Sequence, residues 1–113
     1  MSGLTAAPKH GTSAFIVKDG KVLVGQRIGS HGAGSWQLPG GHCEPSEGIL
    51  QCAVCEVNEE TGLNVDGVSI LANTYDVFPE HDKHYVTWFV LVALHDLQAA
   101  PEAMEPNKCA SWE

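Results

Sequence analysis

The sequence predicts a mixed α/β (α+β) domain from three features. These are a tight-turn dipeptide between two β-branched runs, a Gly- and Pro-rich loop opening onto one amphipathic helix, and strand-like segments after that helix. In "GTSAFIVKDGKVLVGQRI" the apolar stretches 13–17 and 22–24 flank Asp19-Gly20, the signature of a two-residue hairpin. "GSHGAGSWQLPGGHCEPSE" is too rich in Gly and Pro for a regular element and too long for an ordinary connector, so it reads as a binding loop. A helix is expected from Ser46 or Glu47 to Thr61, with Ser46 as N-cap, Glu47 at the positive helix start and Gly62 just past the end. Ile49, Leu50, Ala53, Val54 and Val57 recur on one face at helical spacing. Strand-like segments follow at 63–77, with a break at Asp66-Gly67, and at 85–94, joined through "FPEHDKH". The tail "QAAPEAMEPNKCASWE" reads as irregular.

The 113 residues suit one domain, 1–113, with residues 1–10 as a flexible N-terminus. The longest apolar run, 86–94, is far short of the roughly 20 residues a membrane-spanning helix needs, and the N-terminus lacks the basic start and apolar stretch of a secretory signal. A cytoplasmic protein with no membrane partner is the expectation. Net charge is −8 and Arg27 is the sole arginine, a poor surface for nucleic-acid backbone. An anionic small molecule would need a cation to accompany it. Cys43, Cys52, Cys55 and Cys109 are expected as reduced thiols. The Cys52-x-x-Cys55 pair lacks a second ligand pair at zinc-finger spacing.

Glu56, Glu59 and Glu60 fall within about a 100° arc of the helix, beside the apolar stripe. Like charges so spaced disfavour a helix by roughly 0.2–0.5 kcal/mol per pair. No Lys or Arg between Arg27 and Lys83 offsets them. A solvated acidic face is the plain reading. The Pro-Gly-Gly turn just ahead offers a second one, because it can aim backbone carbonyls at the carboxylates. Oxygen-only ligands suit a hard cation such as Mg²⁺ or Mn²⁺, commonly completed by substrate phosphates.

Residues 41–63 resemble the Nudix signature G-x5-E-x7-R-E-U-x-E-E-x-G-U, where U is a bulky aliphatic residue. Gly41, Glu47, Glu56, Val57, Glu59, Glu60, Gly62 and Leu63 fit, eight of nine defined positions. "GAGSWQLPGGH", "HYVTWFV" and "MEPNKCASWE" are similar to the MutT-type branch, and the likeness runs from Gly11 onward. It implies a Nudix-type α/β/α sandwich with a mixed sheet and hydrolysis of the pyrophosphate bond of nucleoside di- or triphosphates or related nucleoside diphosphate-X compounds. It also implies Mg²⁺ or Mn²⁺ on Glu56, Glu59, Glu60 and the Gly41 or Gly40 carbonyl, with Glu105 as a further acidic ligand. Glu56 would activate water, and Glu47 would complete the catalytic set.

The ninth position is Cys55 where the family carries an arginine that braces the equivalent of Glu47 and the adjacent carboxylate. A thiol offers no forked, permanently charged donor set, and losing such support typically costs 10–100-fold in metal affinity or activity. Cys55 therefore marks a slower enzyme, an inactive relative, or a change made for another purpose. The chain also stops where relatives continue into a further strand and helix, so an uncovered apolar sheet face and a homodimer are expectations. Arg27 reads as a phosphate contact or a surface charge. Trp36 and Gln37 read as base contacts or loop anchors, and His42 as a pocket or turn residue. His81 and His84 read as solvated, and Phe78, Tyr85, Trp88 and Phe89 as core or pocket wall. Two other classes stay in view: a Nudix-fold binder of nucleotide or metal without turnover, and a thiol or zinc protein using Cys52 and Cys55.

Overall fold

The computed structural model describes residues 7–28, 34–105 and 109–113. Strand β1 (Lys9–Lys18) turns through Asp19 and Gly20, both at positive φ, into the short β2 (Lys21–Val22), which is the expected hairpin cut shorter. Val24 leaves that strand and exchanges two backbone hydrogen bonds with Glu113, at 2.9 and 2.7 Å. The expected loop contains regular structure: β3 (Gly25–Arg27), β4 (Trp36–Gln37) and β5 (Gly40–His42). After helix α1 (Ile49–Thr61) come β6 (Val65–Phe78), a single 3-10 turn at Pro79–His81, β7 (Lys83–Leu94) and β8 (Cys109–Trp112).

The main sheet runs β2-β1-β7-β6, with β5 also on β1. It is mixed, because β1 and β7 are parallel while β6 and β5 pair antiparallel. A second antiparallel sheet runs β4-β3-β8. The tail expected to be irregular thus supplies a strand. Its signal is only four residues long, so pairing with β3 rather than local propensity makes it. The break expected at Asp66-Gly67 is instead a register shift between Gly67 and Ser69 within one continuous strand, with another between Ile70 and Ala72.

Helix α1 starts three residues later than the sequence suggested. Gly48 is the N-cap, no side chain caps it, and no acidic residue lies in the first turn. Ser46 and Glu47 belong to a preceding turn in which the Glu47 amide donates to the Glu44 carbonyl at 3.0 Å, and the Glu47 carboxylate accepts the Glu44 amide at 3.2 Å. That local exchange outcompetes a further helical turn. The C-terminus is as expected: Gly62 sits at φ 76°, and its amide donates to the Asn58 carbonyl at 2.9 Å. Among the described residues no helix is long and apolar enough to cross a membrane.

Alternation along β1 buries Thr12, Ala14 and Ile16 against Ala53 and Val57 of α1, Val90 and Val92 of β7, and Leu63 and Val65. Ile49, Leu50 and Val54 pack at the rim of this core, so the helical stripe read from sequence is the buried one. Outermost strand β6 differs: Val68, Ile70, Leu71, Tyr75, Val77 and Phe78 are exposed.

Val57 is fully buried at the centre of the helix–sheet contact. Val57→Ala removes two buried carbons at about 0.8 kcal/mol each and leaves a cavity. The expected loss is about 2 kcal/mol, read as a lower urea midpoint at unchanged m-value.

Candidate active site

The site forms where β5 is wedged between β1 and α1. Gly41 faces Thr12 in the β1 ladder, and Gly40 faces Ser13. A Cβ on Gly40 would collide with the Thr12 carbonyl, and one on Gly41 would collide with the Glu56 carboxylate. Only a strand without side chains fits this gap. The Gly40 amide donates to Glu60 Oε2 at 3.4 Å. The Pro-Gly-Gly backbone therefore meets two of the three helix carboxylates directly.

The carboxylates open onto a cavity of about 720 Å³. Among the described residues its walls include Gly40, Gly41, Glu56, Glu59 and Glu60, with Arg27, Gln37 and His42 facing them. Glu105 lies here too, although no regular element or motif surrounds it in the sequence. Backbone bonds from Met104 to the Glu60 carbonyl (3.2 Å) and from Glu102 to the Thr61 carbonyl (2.9 Å) tie the tail to the end of α1. The Trp112 indole N–H also donates to the Glu60 carbonyl, at 3.1 Å. These donors satisfy carbonyls the helix leaves unpaired at its C-terminus. Glu44, Cys109 and Trp112 are lining residues the sequence reading missed. Glu44 stood in the loop without a motif position, and the others stood in a tail read as irregular.

Arg27 is held by its Nε, which donates to Gln37 Oε1 at 2.9 Å. The remaining guanidinium N–H groups are the donors suited to an oxyanion. Trp36 is 54% exposed and is not among the cavity's lining residues. Glu47 is not there either. It lines an adjoining cavity of about 670 Å³ with Cys43 and Trp88 that shares His42 and Glu44 with the first, and its carboxylate takes part in the Glu44 turn.

At the arginine position, Cys55 is half-buried and its sulfur receives a hydrogen bond from Gln51 Nε2 at 3.2 Å. Cys52, one turn before Glu56, is fully buried, 3.6 Å from Thr12 Oγ1 and 3.9 Å from the Gly41 carbonyl. Burial pushes the Cys52 thiol far above its usual range, and the neighbouring Cys43 adds to the shift. Burial likewise raises Cys43. Cys52 is therefore a neutral filler behind the loop.

The donor set fits a hard divalent ion. Glu44, Glu56, Glu59, Glu60 and Glu105 supply five carboxylates against one guanidinium among the described lining residues. A pyrophosphate could not enter such a field without a cation to offset it. Among the described residues no three His, Cys, Asp or Glu side chains already converge on one point. An ion that keeps several waters and takes one or two carboxylates suits such an open array.

The NUDIX domain family matches residues 8–113. The RNA pyrophosphohydrolase of Erythrobacter litoralis (strain HTCC2594) is 38% identical over 55 residues, which cover 49% of this chain and 34% of that protein. The 8-oxo-dGTP diphosphatase of Proteus vulgaris is 36% identical over 76 residues, 66% of each chain. The crystal structure of a MutT NUDIX hydrolase from Burkholderia pseudomallei superposes with a TM-score of 0.81 at 27% identity, covering 96% of this chain and 82% of that one. Matched segments span 25–66% of the length of these and similar curated relatives. With the fold, the Pro-Gly-Gly wedge and the helix carboxylates all in place, the chain belongs to the NUDIX domain family.

Proposed function

We propose that the chain is a divalent-metal-dependent hydrolase that cleaves the pyrophosphate bond of nucleoside di- or triphosphates or related nucleoside diphosphate-X compounds. The observation that carries this reading is the contact of the Gly40-Gly41 backbone with Glu56 and Glu60 on the wall of a cavity that also holds Arg27. Two matched relatives are named as an RNA pyrophosphohydrolase and an 8-oxo-dGTP diphosphatase, names that share pyrophosphate-bond cleavage. Net charge of −8 and a single arginine favour the small nucleotide over a polyanion.

Glu56, Glu59, Glu60, Glu105 and the Gly41 carbonyl are the groups to hold Mg²⁺ or Mn²⁺. When bound, the ion would offset pyrophosphate charge and lower the pKa of the attacking water. Arg27, fixed by Gln37, grips a phosphoryl oxygen across the cavity. Glu56 is wedged against Gly41, so its carboxylate is the best fixed of the three to orient water and take its proton. His42, exposed at the end of β5, contacts the rest of the substrate.

A second reading, a binder without turnover, is favoured by Cys55 alone. Phosphate or pyrophosphate release in a Mg²⁺-supplemented nucleotide panel separates the two, since stabilisation by nucleotide plus Mg²⁺ without either product selects the binder.

Three outcomes check the assignment. Glu56→Gln should lower kcat at least 100-fold, while a change below tenfold would remove it from the water-activating role. Gly41→Ala should weaken Mg²⁺ uptake in calorimetry about tenfold or more, because the new Cβ displaces the Glu56 carboxylate. Cys55→Arg should raise metal-dependent turnover about tenfold with the circular dichroism spectrum unchanged, and equal or lower turnover would count against the brace.

A further inference from the structure

Strand β8 carries a side chain that reaches both walls of the carboxylate cavity. Trp112 is 8% exposed and lines that cavity with Arg27 and Glu60. Its backbone is fixed to β3. Trp112 pairs with Gly25, and the next residue, Glu113, exchanges hydrogen bonds of 2.9 and 2.7 Å with Val24. Its ring packs on the same strand, since a Cβ on Gly25 would fall 2.7 Å from Trp112 Cε3. A bare backbone is what admits the indole there. Two residues further along β3 stands Arg27, paired with Cys109 of β8, its Nε held by Gln37 at 2.9 Å. The indole then leaves the small sheet and donates from Nε1 to the Glu60 carbonyl at 3.1 Å.

Glu60 is thereby held at two points. Its carboxylate accepts the Gly40 amide at 3.4 Å, and its carbonyl accepts both Trp112 and the Met104 amide, the latter at 3.2 Å. With Met104 present, the indole is not needed to fill an empty acceptor. What it adds is a tie between elements. Met104 joins α1 to the chain just before β8, whereas Trp112 joins α1 to the strand pair that carries Arg27. The two walls so joined hold unlike charge, Arg27 for an anion and the carboxylates for a cation. A diphosphate that spans them has a fixed length, and a misplacement of about 1 Å can cost on the order of 100-fold.

We propose that Trp112 is a positioning residue, a strut that sets the distance from the Arg27 guanidinium to the Glu60 end of the carboxylate wall and so couples anion binding to cation binding. This role rests on the hydrolase reading. Trp112 acts through Arg27 and Glu60, not on the reacting atoms.

The test is calorimetry with Mg²⁺ and the non-hydrolysable methylenediphosphonate, on wild type and Trp112→Phe, which keeps a ring but loses the N–H. The coupling is the diphosphonate Kd without Mg²⁺ divided by that with it. Association of the two ligands in solution is common to both proteins and cancels in the comparison. In Trp112→Phe the coupling should fall about tenfold while the Kd for Mg²⁺ alone stays within twofold. Unchanged coupling overturns the strut, and so does a loss of Mg²⁺ affinity large enough to account for the whole fall. In an Arg27→Ala background Trp112→Phe should cause no further fall, and an equal tenfold loss there also overturns it. Should Trp112→Phe not fold, wild type carries the test through its indole N–H resonances. The chain has three tryptophans, so Trp36→Phe and Trp88→Phe assign Trp112 by elimination. Its resonance should shift on joint addition of Mg²⁺ and diphosphonate beyond the changes each causes alone, and no such shift overturns the strut. Absence of Mg²⁺ uptake by wild type is the separate result that overturns the hydrolase reading, and the strut with it.

Discussion

Everything at the site depends on two adjacent glycines in β5. Gly40 has no room for a Cβ because the Thr12 carbonyl is there, and Gly41 has none because the Glu56 carboxylate is there. One glycine sets how near β5 comes to the sheet, and the other sets how near the helix comes to β5. The helix is thereby held with Glu56 and Glu60 against backbone atoms rather than in open solvent. Three glutamates within two turns of a helix would otherwise repel each other into water. Here the surrounding backbone limits their freedom, and the cavity they face is where a cation would relieve the repulsion.

The other end of α1 is fixed by a different chemistry. Its last carbonyls accept hydrogen bonds from Met104, Glu102 and the Trp112 indole, so a tail of little regular structure is anchored by groups the helix cannot satisfy itself. That anchoring brings Glu105 to the carboxylates. It also seats β8 beside β3, and Trp112 closes over Gly25, where any side chain would meet the indole and Cys109. The small sheet and the helix are coupled through this tail.

The helix, its buried stripe, its glycine stop and the first hairpin were readable because each rests on local chemistry with a fixed period or a fixed turn. The three helix carboxylates were readable as a group through a spaced motif, whereas Arg27 and Gln37 lie outside it and read equally as surface charge and loop anchor until the fold sets them on the same cavity. Elements that depend on a distant partner were not. Strands β3, β4, β5 and β8 have at most four residues each, and pairing rather than propensity creates them. Glu47 was placed by motif position with the other glutamates, and a turn with Glu44 sets it on the adjoining cavity, a local exchange the motif does not announce. His84, read as solvated, is half-buried and bonded to the Tyr75 hydroxyl at 2.5 Å, a cross-strand contact that no linear pattern announces.

Strand β6 has a consequence for behaviour at high concentration. It is the outer strand of the main sheet, fourteen residues long, and from Gly67 to Tyr75 it carries neither a charge nor a proline. Edges of that kind recruit other chains into a growing ladder unless something spoils their regularity. The spoilers here are the two offsets after Gly67 and Ile70, which bend the strand where its apolar side chains are most accessible. Straightening either offset would restore a regular apolar edge, the feature that lets one chain extend the ladder of another.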